Sequence, residues 1–220
     1  MQPDYRKHEA IITDFLKELN KETDAFILKG GTALRQCYGL DRFSEDIDLD
    51  SSAKNIILFA RKYCRQNGFE LREAKNTDMV KRVFITYASD VKGLKVEVSY
   101  RRKHIFEEEI VRKNGITVYS IDRLASMKAA AYIARDKIRD LYDITFICNH
   151  YFDMLSDTTK NLLRDSFEQK GLENFDYLIQ TGQDPLIDNG KLAEDFLVTL
   201  DKLEILYEER DKEREMGQAD

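Results

Sequence analysis

The amino-acid sequence predicts an α+β chain: a mixed sheet with flanking helices over residues 1–120, then an α-helical domain over residues 121–220. Three observations carry this. Apolar residues recur at helical spacing near the start, strand-like runs mark 45–50 and recur between 69 and 119, and only helical spacing is found beyond Ile121. A length of 220 residues suits one large domain or two small ones with a core of ordinary size. With 42% hydrophobic and 35% charged residues, the composition is that of a folded chain, not a disordered one. No stretch approaches the ~18 apolar residues of a membrane span. The polar start, MQPDYRKHEA, lacks the apolar core of a signal peptide, so a cytoplasmic protein with no membrane partner is expected.

The elements follow in order. Ala10, Ile11, Phe15, Leu16 and Leu19 mark an amphipathic helix over 5–20, and Ala25 to Leu28 reads as a short strand entering Lys29-Gly30-Gly31-Thr32. A helix over 33–38 ends at Gly39, and acidic–apolar alternation makes 45–50 a strand. Ser51 and Ser52 are the expected caps of a helix over 53–67, closed by Gly68. Strands are expected at 69–74, 80–88, 94–100 and 116–119, the third with Lys95, Glu97 and Ser99 on its polar face. The rest is helical, and the charged stretch from Glu208 to Asp220 is expected to fray.

Charge and cysteine usage narrow the partners. The net charge is −6, yet residues 61–139 carry 19 Lys/Arg against 10 Asp/Glu, a net of +9. Such a segment suits phosphates, although lysines solvating the middle strands would leave the same trace. Cys37, Cys64 and Cys148 are odd in number and widely spaced, which fits a reducing compartment; neither they nor the three histidines have metal-ligand spacing.

The chemistry concentrates in Lys29 to Ser51, KGGTALRQCYGLDRFSEDIDLDS. Glycines between a strand and a helix let backbone amides approach a phosphate, and the Thr32 hydroxyl can donate to its oxygens. Asp46 and Asp48, two apart on a strand, share a face, and paired carboxylates suit a hard cation. A phosphate cradle beside paired carboxylates is what metal-assisted nucleotidyl transfer requires. An EF-hand reading of Asp46-x-Asp48-x-Asp50 fails, because its sixth and twelfth positions are Ser51 and Ile57.

The segment resembles the hallmark of the DNA polymerase β-like nucleotidyltransferases, with thirteen residues between Thr32 and Asp46. Lys29-Gly-Gly-Thr-Ala-Leu34, then Arg42-Phe-Ser-Glu-Asp-Ile-Asp-Leu49, is more closely similar to the AbiEii/AbiGii toxin family of that superfamily. A second block, Asp122-Arg-Leu-x-x-Met-Lys128 with Arg135-Asp-Lys-Ile-Arg139-Asp140-Leu-Tyr-Asp143, resembles the same family.

The resemblance implies a polymerase β-like nucleotidyltransferase domain whose cleft is completed by the helical domain. It implies nucleotide contacts at Gly30, Gly31, Thr32, Arg42, Ser44, Lys128, Asp140 and Asp143. Asp46 and Asp48 would be catalytic and ligate Mg²⁺, with Mn²⁺ able to substitute, and Lys128 would act on the triphosphate. Glu97 would be a third carboxylate, or a partner of Lys95. Arg135 and Arg139 would share a helix face toward phosphate, Lys81 and Arg82 would be further phosphate contacts, and Tyr87, Tyr100, Tyr119, Tyr132 and Tyr142 could include a base-stacking platform.

The implied activity is transfer of NMP from an NTP to RNA, with tRNA favoured, by the toxin of a toxin–antitoxin or abortive-infection system that has a cognate antitoxin. A protein or small-molecule acceptor, or an inactive nucleotide-binding module, stays open. For Lys128, this role predicts that its removal weakens NTP binding and leaves the fold intact; a solvated helix face laced with salt bridges is the alternative.

Overall fold

The structure, a computed structural model, describes residues 5–52, 54–89, 93–182 and 184–206. The chain divides into two compact units, Met1–Ser120 and Ile121–Asp220. The stretch from Glu208 to Asp220, expected to fray, lies outside the described residues.

In the first unit, α1 (Tyr5–Glu22) buries Ile12, Phe15, Leu16 and Leu19, whose spacing puts them along one face. The ring of Phe15 meets Phe59 and Tyr63 edge-on, at 5.2 and 5.0 Å between centroids, on α3 (Ile56–Asn67). Between them come β1 (Ile27–Lys29), α2 (Gly30–Tyr38) and β2 (Ile47–Asp50). Then follow β3 (Glu70–Asn76), β4 (Val80–Thr86), β5 (Leu94–Ser99), β6 (Ile110–Lys113) and β7 (Ile116–Tyr119). Among the described residues these seven strands make one sheet in the order β3-β4-β5-β2-β1-β7-β6. It is mixed: β2 runs parallel to β5 and β1 to β7, and the other neighbours are antiparallel.

Alternation decides the faces. Ile47 and Leu49 of β2 and Leu94, Val96 and Val98 of β5 are essentially unexposed, which commits Asp48, Asp50, Lys95 and Glu97 to the other side of the sheet.

Several boundaries differ from expectation. Helix α2 begins at Gly30, not Ala33, because Gly30 takes φ +74° and turns the chain directly from strand into helix. Asp46 precedes β2 instead of lying in it. Helix α3 is capped by Asn55, whose side chain accepts the Ile57 amide at 3.0 Å, not by Ser51 or Ser52. Ser51 is fully buried, and its amide donates to the Ser99 carbonyl. Strand β6 is absent from the sequence-based expectation. It is joined to β7 by Asn114-Gly115, both with positive φ (53° and 79°), the two-residue hairpin this dipeptide favours.

The second unit contains, among the described residues, α4 (Ile121–Ala134), α5 (Ile138–Tyr151), α6 (Asp157–Lys170), α7 (Glu173–Thr181) and α8 (Asn189–Lys202). Leu124, Ala129, Leu141, Ile144, Ile147, Leu163 and Leu200 fill its core, and Phe196 stacks on Phe175 with ring centroids 4.4 Å apart. Ser156 and Asp188 accept amides at the starts of α6 and α8. Because α4 ends at Ala134, Arg135 and Arg139 do not share a helix face.

Candidate active site

The site of the first unit is built where β1 hands over to α2. No side chain caps the helix at Lys29 and its first turn carries no acid, so first-turn amides of α2 lack a side-chain acceptor there. Glycine is called for at position 30 by its φ of +74° and at position 31 by the lack of room for a side chain. A Cβ at Gly31 would lie 2.7 Å from Arg42 Nη2 and 3.0 Å from Ser44 Oγ, and Arg42 is buried and cannot swing clear. A Cβ at Gly30 would lie 3.4 Å from Asp48 Oδ2, which places that carboxylate against the turn.

Thr32 sits differently from the expectation that it donates to phosphate. It is buried and hydrogen bonds the Asp46 carbonyl and, at 2.8 Å, the Ser44 hydroxyl. A carbonyl can only accept, so Thr32 donates to Asp46 and receives from Ser44. The residue latches the loop that presents the first aspartate.

The strand registers then set the charges in rows. Lys29 of β1 is the lateral partner of Asp48 of β2, Asp48 of Glu97 of β5, and Glu97 of Arg82 of β4. Two carboxylates side by side on neighbouring strands repel, and such pairs normally destabilise a sheet. Most of that charge is answered directly. Glu97 Oε2 accepts from Arg82 Nε at 2.5 Å, Asp46 Oδ2 meets Lys95 Nζ at 2.7 Å, and buried Asp50 is held by Lys29 Nζ at 2.5 Å and the Tyr119 hydroxyl at 3.0 Å. Asp48 is the exception: among the described residues its carboxylate makes no hydrogen bond or ion pair. Burial pushes its carboxyl above the usual range. Lys95 opposes this, and Asp46 and Glu97 push it further. Lys95 responds in kind: burial alone would lower its ammonium, but Asp46, Asp48 and Glu97 together hold it above the usual range.

The donor set suits a hard divalent cation. Asp46 and Asp48 offer oxygens next to an uncapped helix start. Among the described residues no group of three or more His, Cys, Asp or Glu side chains forms a cation cage. Mg²⁺ does not need one, since it is commonly held by one or two carboxylates together with substrate phosphates.

The second block of expected residues forms its own cluster in the helical unit. Lys128 Nζ lies 3.0 Å from Asp140 Oδ1 and 2.6 Å from Asp143 Oδ2, with both carboxylates buried. Arg135 adds a bond from Nε to Asp140 Oδ2 at 2.7 Å. Burial would raise the Asp140 carboxyl, but Lys128 and Arg135 win and hold it below the usual range. This corrects the solvated-face reading of Lys128 and the expectation that the fold is indifferent to its removal. It does not lie on a solvated face, and its removal would strand buried charge instead of leaving the fold untouched.

Other expectations change as well. Glu97 pairs with Arg82, not Lys95, because β4 and β5 are lateral neighbours in that register. Lys81 donates to Asn76, and Arg139 pairs with Asp184. The tyrosines proposed for stacking are engaged in packing. Tyr87 bonds His8, Tyr100 accepts from the Ile56 amide, Tyr119 donates to Asp50, Tyr132 to Asn174, and buried Tyr142 lies under the Lys191 ammonium. Three site neighbours went unpredicted. Lys95 and Lys29 could be found only by knowing the strand order. His8 reaches from α1 to donate through Nε2 to the Glu45 carbonyl at 2.7 Å, one residue before Asp46, and no local pattern announces it.

Comparison with known proteins finds relatives of the whole chain. The Helicobacter pylori protein JHP933 aligns over 99% of this chain and 99% of its own, with 28% identity and a TM-score of 0.77. A second H. pylori structure, described as a candidate nucleotidyltransferase, aligns over 95% of this chain and 98% of its own, with 29% identity and the same TM-score. Comparison with curated proteins yields no match. The family profile described as "Nucleotidyl transferase AbiEii toxin, Type IV TA system" matches residues 14–216, and the chain therefore belongs to the AbiEii family and is a nucleotidyltransferase.

Proposed function

We propose that the protein transfers an NMP unit from an NTP to RNA, with tRNA as the favoured acceptor, and that Mg²⁺, or Mn²⁺ in its place, is held by Asp46 and Asp48. The observation that carries this is Asp48: a half-buried carboxylate, packed against the Gly30 turn, whose like-charged neighbours are paired with Lys95 and Arg82 while it has no ion pair among the described residues. When bound, the cation would polarise phosphoryl oxygens and offset the charge that develops on them. The chain's own residues do the rest. The α2 amides and the open backbone at Gly30 and Gly31 receive phosphate oxygens, and Arg42 and Ser44, packed over Gly31, border that path. Thr32 and His8 fix the loop on either side of Asp46. Glu97 is the third carboxylate, its Oε1 without a hydrogen bond among the described residues. In the reaction an acceptor hydroxyl oxygen bonds to the α-phosphorus as the bond to the bridging oxygen of the leaving pyrophosphate breaks, and the hydroxyl proton passes to the Glu97 carboxylate.

Lys128, Asp140 and Asp143 serve the nucleotide in this reading as the family resemblance implies. An RNA acceptor is supported by the +9 excess of residues 61–139. Arg72, Lys75, Arg101 and Lys103 of that segment are exposed and unpaired by any carboxylate among the described residues. Membership of a toxin family brings an antitoxin as the protein partner. No helix of the described residues is long and apolar enough to cross a membrane; a cytoplasmic site of action accords with the buried, unpaired cysteines.

Thermal melts with each of the four NTPs test the reading. A ligand at a hundred times its Kd adds about 2.7 kcal/mol to the folded state. Tm is expected to rise by several degrees with Mg²⁺ and the correct NTP together, and less with either alone. No response to any Mg²⁺–NTP pair would contradict it.

A further inference from the structure

We propose that Lys95 is the site's built-in counter-ion, holding the place of the divalent cation until nucleotide arrives and so making tight cation binding conditional on nucleotide. This rests on the reading of Asp46 and Asp48 as cation ligands. The geometry behind it is specific. Lys95 and Glu97 lie two apart on β5, so their side chains share the face of the sheet that carries Asp48. Lys95 Nζ is 2.7 Å from Asp46 Oδ2, and both side chains are about three-quarters and two-thirds buried, at 25% and 35% exposure. Two further cations of the site, Lys29 and Arg82, are bound to Asp50 and Glu97. Among the described residues, Lys95 alone bonds to one of the two carboxylates proposed for the metal.

A divalent cation approaching Asp46 meets an ammonium already in contact with it. A divalent ion and an ammonium on one carboxylate repel each other at short range, even when they take its two different oxygens. The ammonium must turn away, and in the absence of nucleotide no anion compensates it for the lost partner. A triphosphate supplies that anion: a phosphate oxygen can take the ammonium as the cation takes Asp46. Cation and nucleotide then favour each other's binding, and the coupling is reciprocal.

The test uses the full chain and Mn²⁺ alone, with binding followed by calorimetry and by the loss of the free-ion paramagnetic signal. Wild type is compared with Lys95→Gln, which keeps a hydrogen-bond donor for Asp46 without the charge, and with Lys95→Met. Lys95→Arg and the double variant Lys95→Gln/Asp48→Asn complete the set, and circular dichroism confirms folding. Lys95→Gln is expected to bind Mn²⁺ at least about tenfold more tightly than wild type, because a unit charge at contact distance has been removed. Lys95→Arg should stay as weak as wild type, and the double variant should lose the gain. Equal or weaker Mn²⁺ affinity in the folded neutral variants, with binding that still depends on Asp48, overturns the place-holder role and leaves the metal reading standing. Mn²⁺ binding that ignores Asp48, or is absent throughout the set, overturns both.

Discussion

Asp48→Asn should reduce transferase activity by at least about a thousandfold, which corresponds to the several kcal/mol a Lewis-acidic cation contributes to phosphoryl chemistry. The same variant should be as stable as wild type at neutral pH, or more so. Burial and the neighbouring Asp46 and Glu97 raise the folded-state carboxyl above its value of 3.8 in the unfolded chain. Ionisation of Asp48 therefore disfavours the folded state at every pH above that value, and the amide removes the penalty. Below pH 3.8 Asp48 is protonated in both states, so the advantage of the variant should vanish there. The Tm gain given by Mg²⁺ with NTP should be lost with the activity. If Asp48 were only a structural partner, the variant would melt earlier and keep its ligand response. Melts of both proteins across pH, with and without Mg²⁺–NTP, separate the outcomes.

Lys128→Ala should act in the opposite sense, through the fold. The substitution removes the ammonium between Asp140 and Asp143, whose side chains are 2% and 0% exposed. Breaking a buried ion pair from one side costs about 3–5 kcal/mol, which for a helical unit of this size is a fall of at least about 10 °C in Tm. Its pH dependence has its own sign. Lys128 and Arg135 hold the folded Asp140 carboxyl below 3.8, so wild type has this contribution above that pH and loses it as acid titrates the carboxylate. The deficit of the variant is thus greatest near neutrality and shrinks in acid. Urea unfolding followed by far-UV circular dichroism measures it; a variant with wild-type stability at pH 7 would return Lys128 to a role at the ligand alone.

These two residues also show how far the sequence alone could be read. Asp46 and Asp48 were legible because their signal is local: glycines before a helix and carboxylates two apart are close in the chain and close in space. The pairing of Lys95 with Asp46 was not legible. It requires β5 to lie parallel to β2, a contact between segments some fifty residues apart that alternation cannot supply. The same holds for Glu97, whose polar-face position was readable from Leu94, Val96 and Val98, while its partner, Arg82, depended on the β4–β5 register. For Lys128, Asp140 and Asp143 the spacing on the helices was right and the environment was not, because charged residues at helical spacing look alike whether they face water or each other. The hairpin at Asn114-Gly115 was a local signal that sequence reasoning could have used.

Metal-dependent nucleotidyl transfer to RNA can be read out directly in one labelling experiment. The full chain is incubated with total RNA and each α-³²P NTP in turn, with Mg²⁺ or with excess EDTA. Label should enter an RNA band from the accepted NTP with Mg²⁺ and not with EDTA, and Asp48→Asn should abolish it. Equal labelling in EDTA would contradict the metal mechanism, and label on protein without label on RNA would contradict the acceptor.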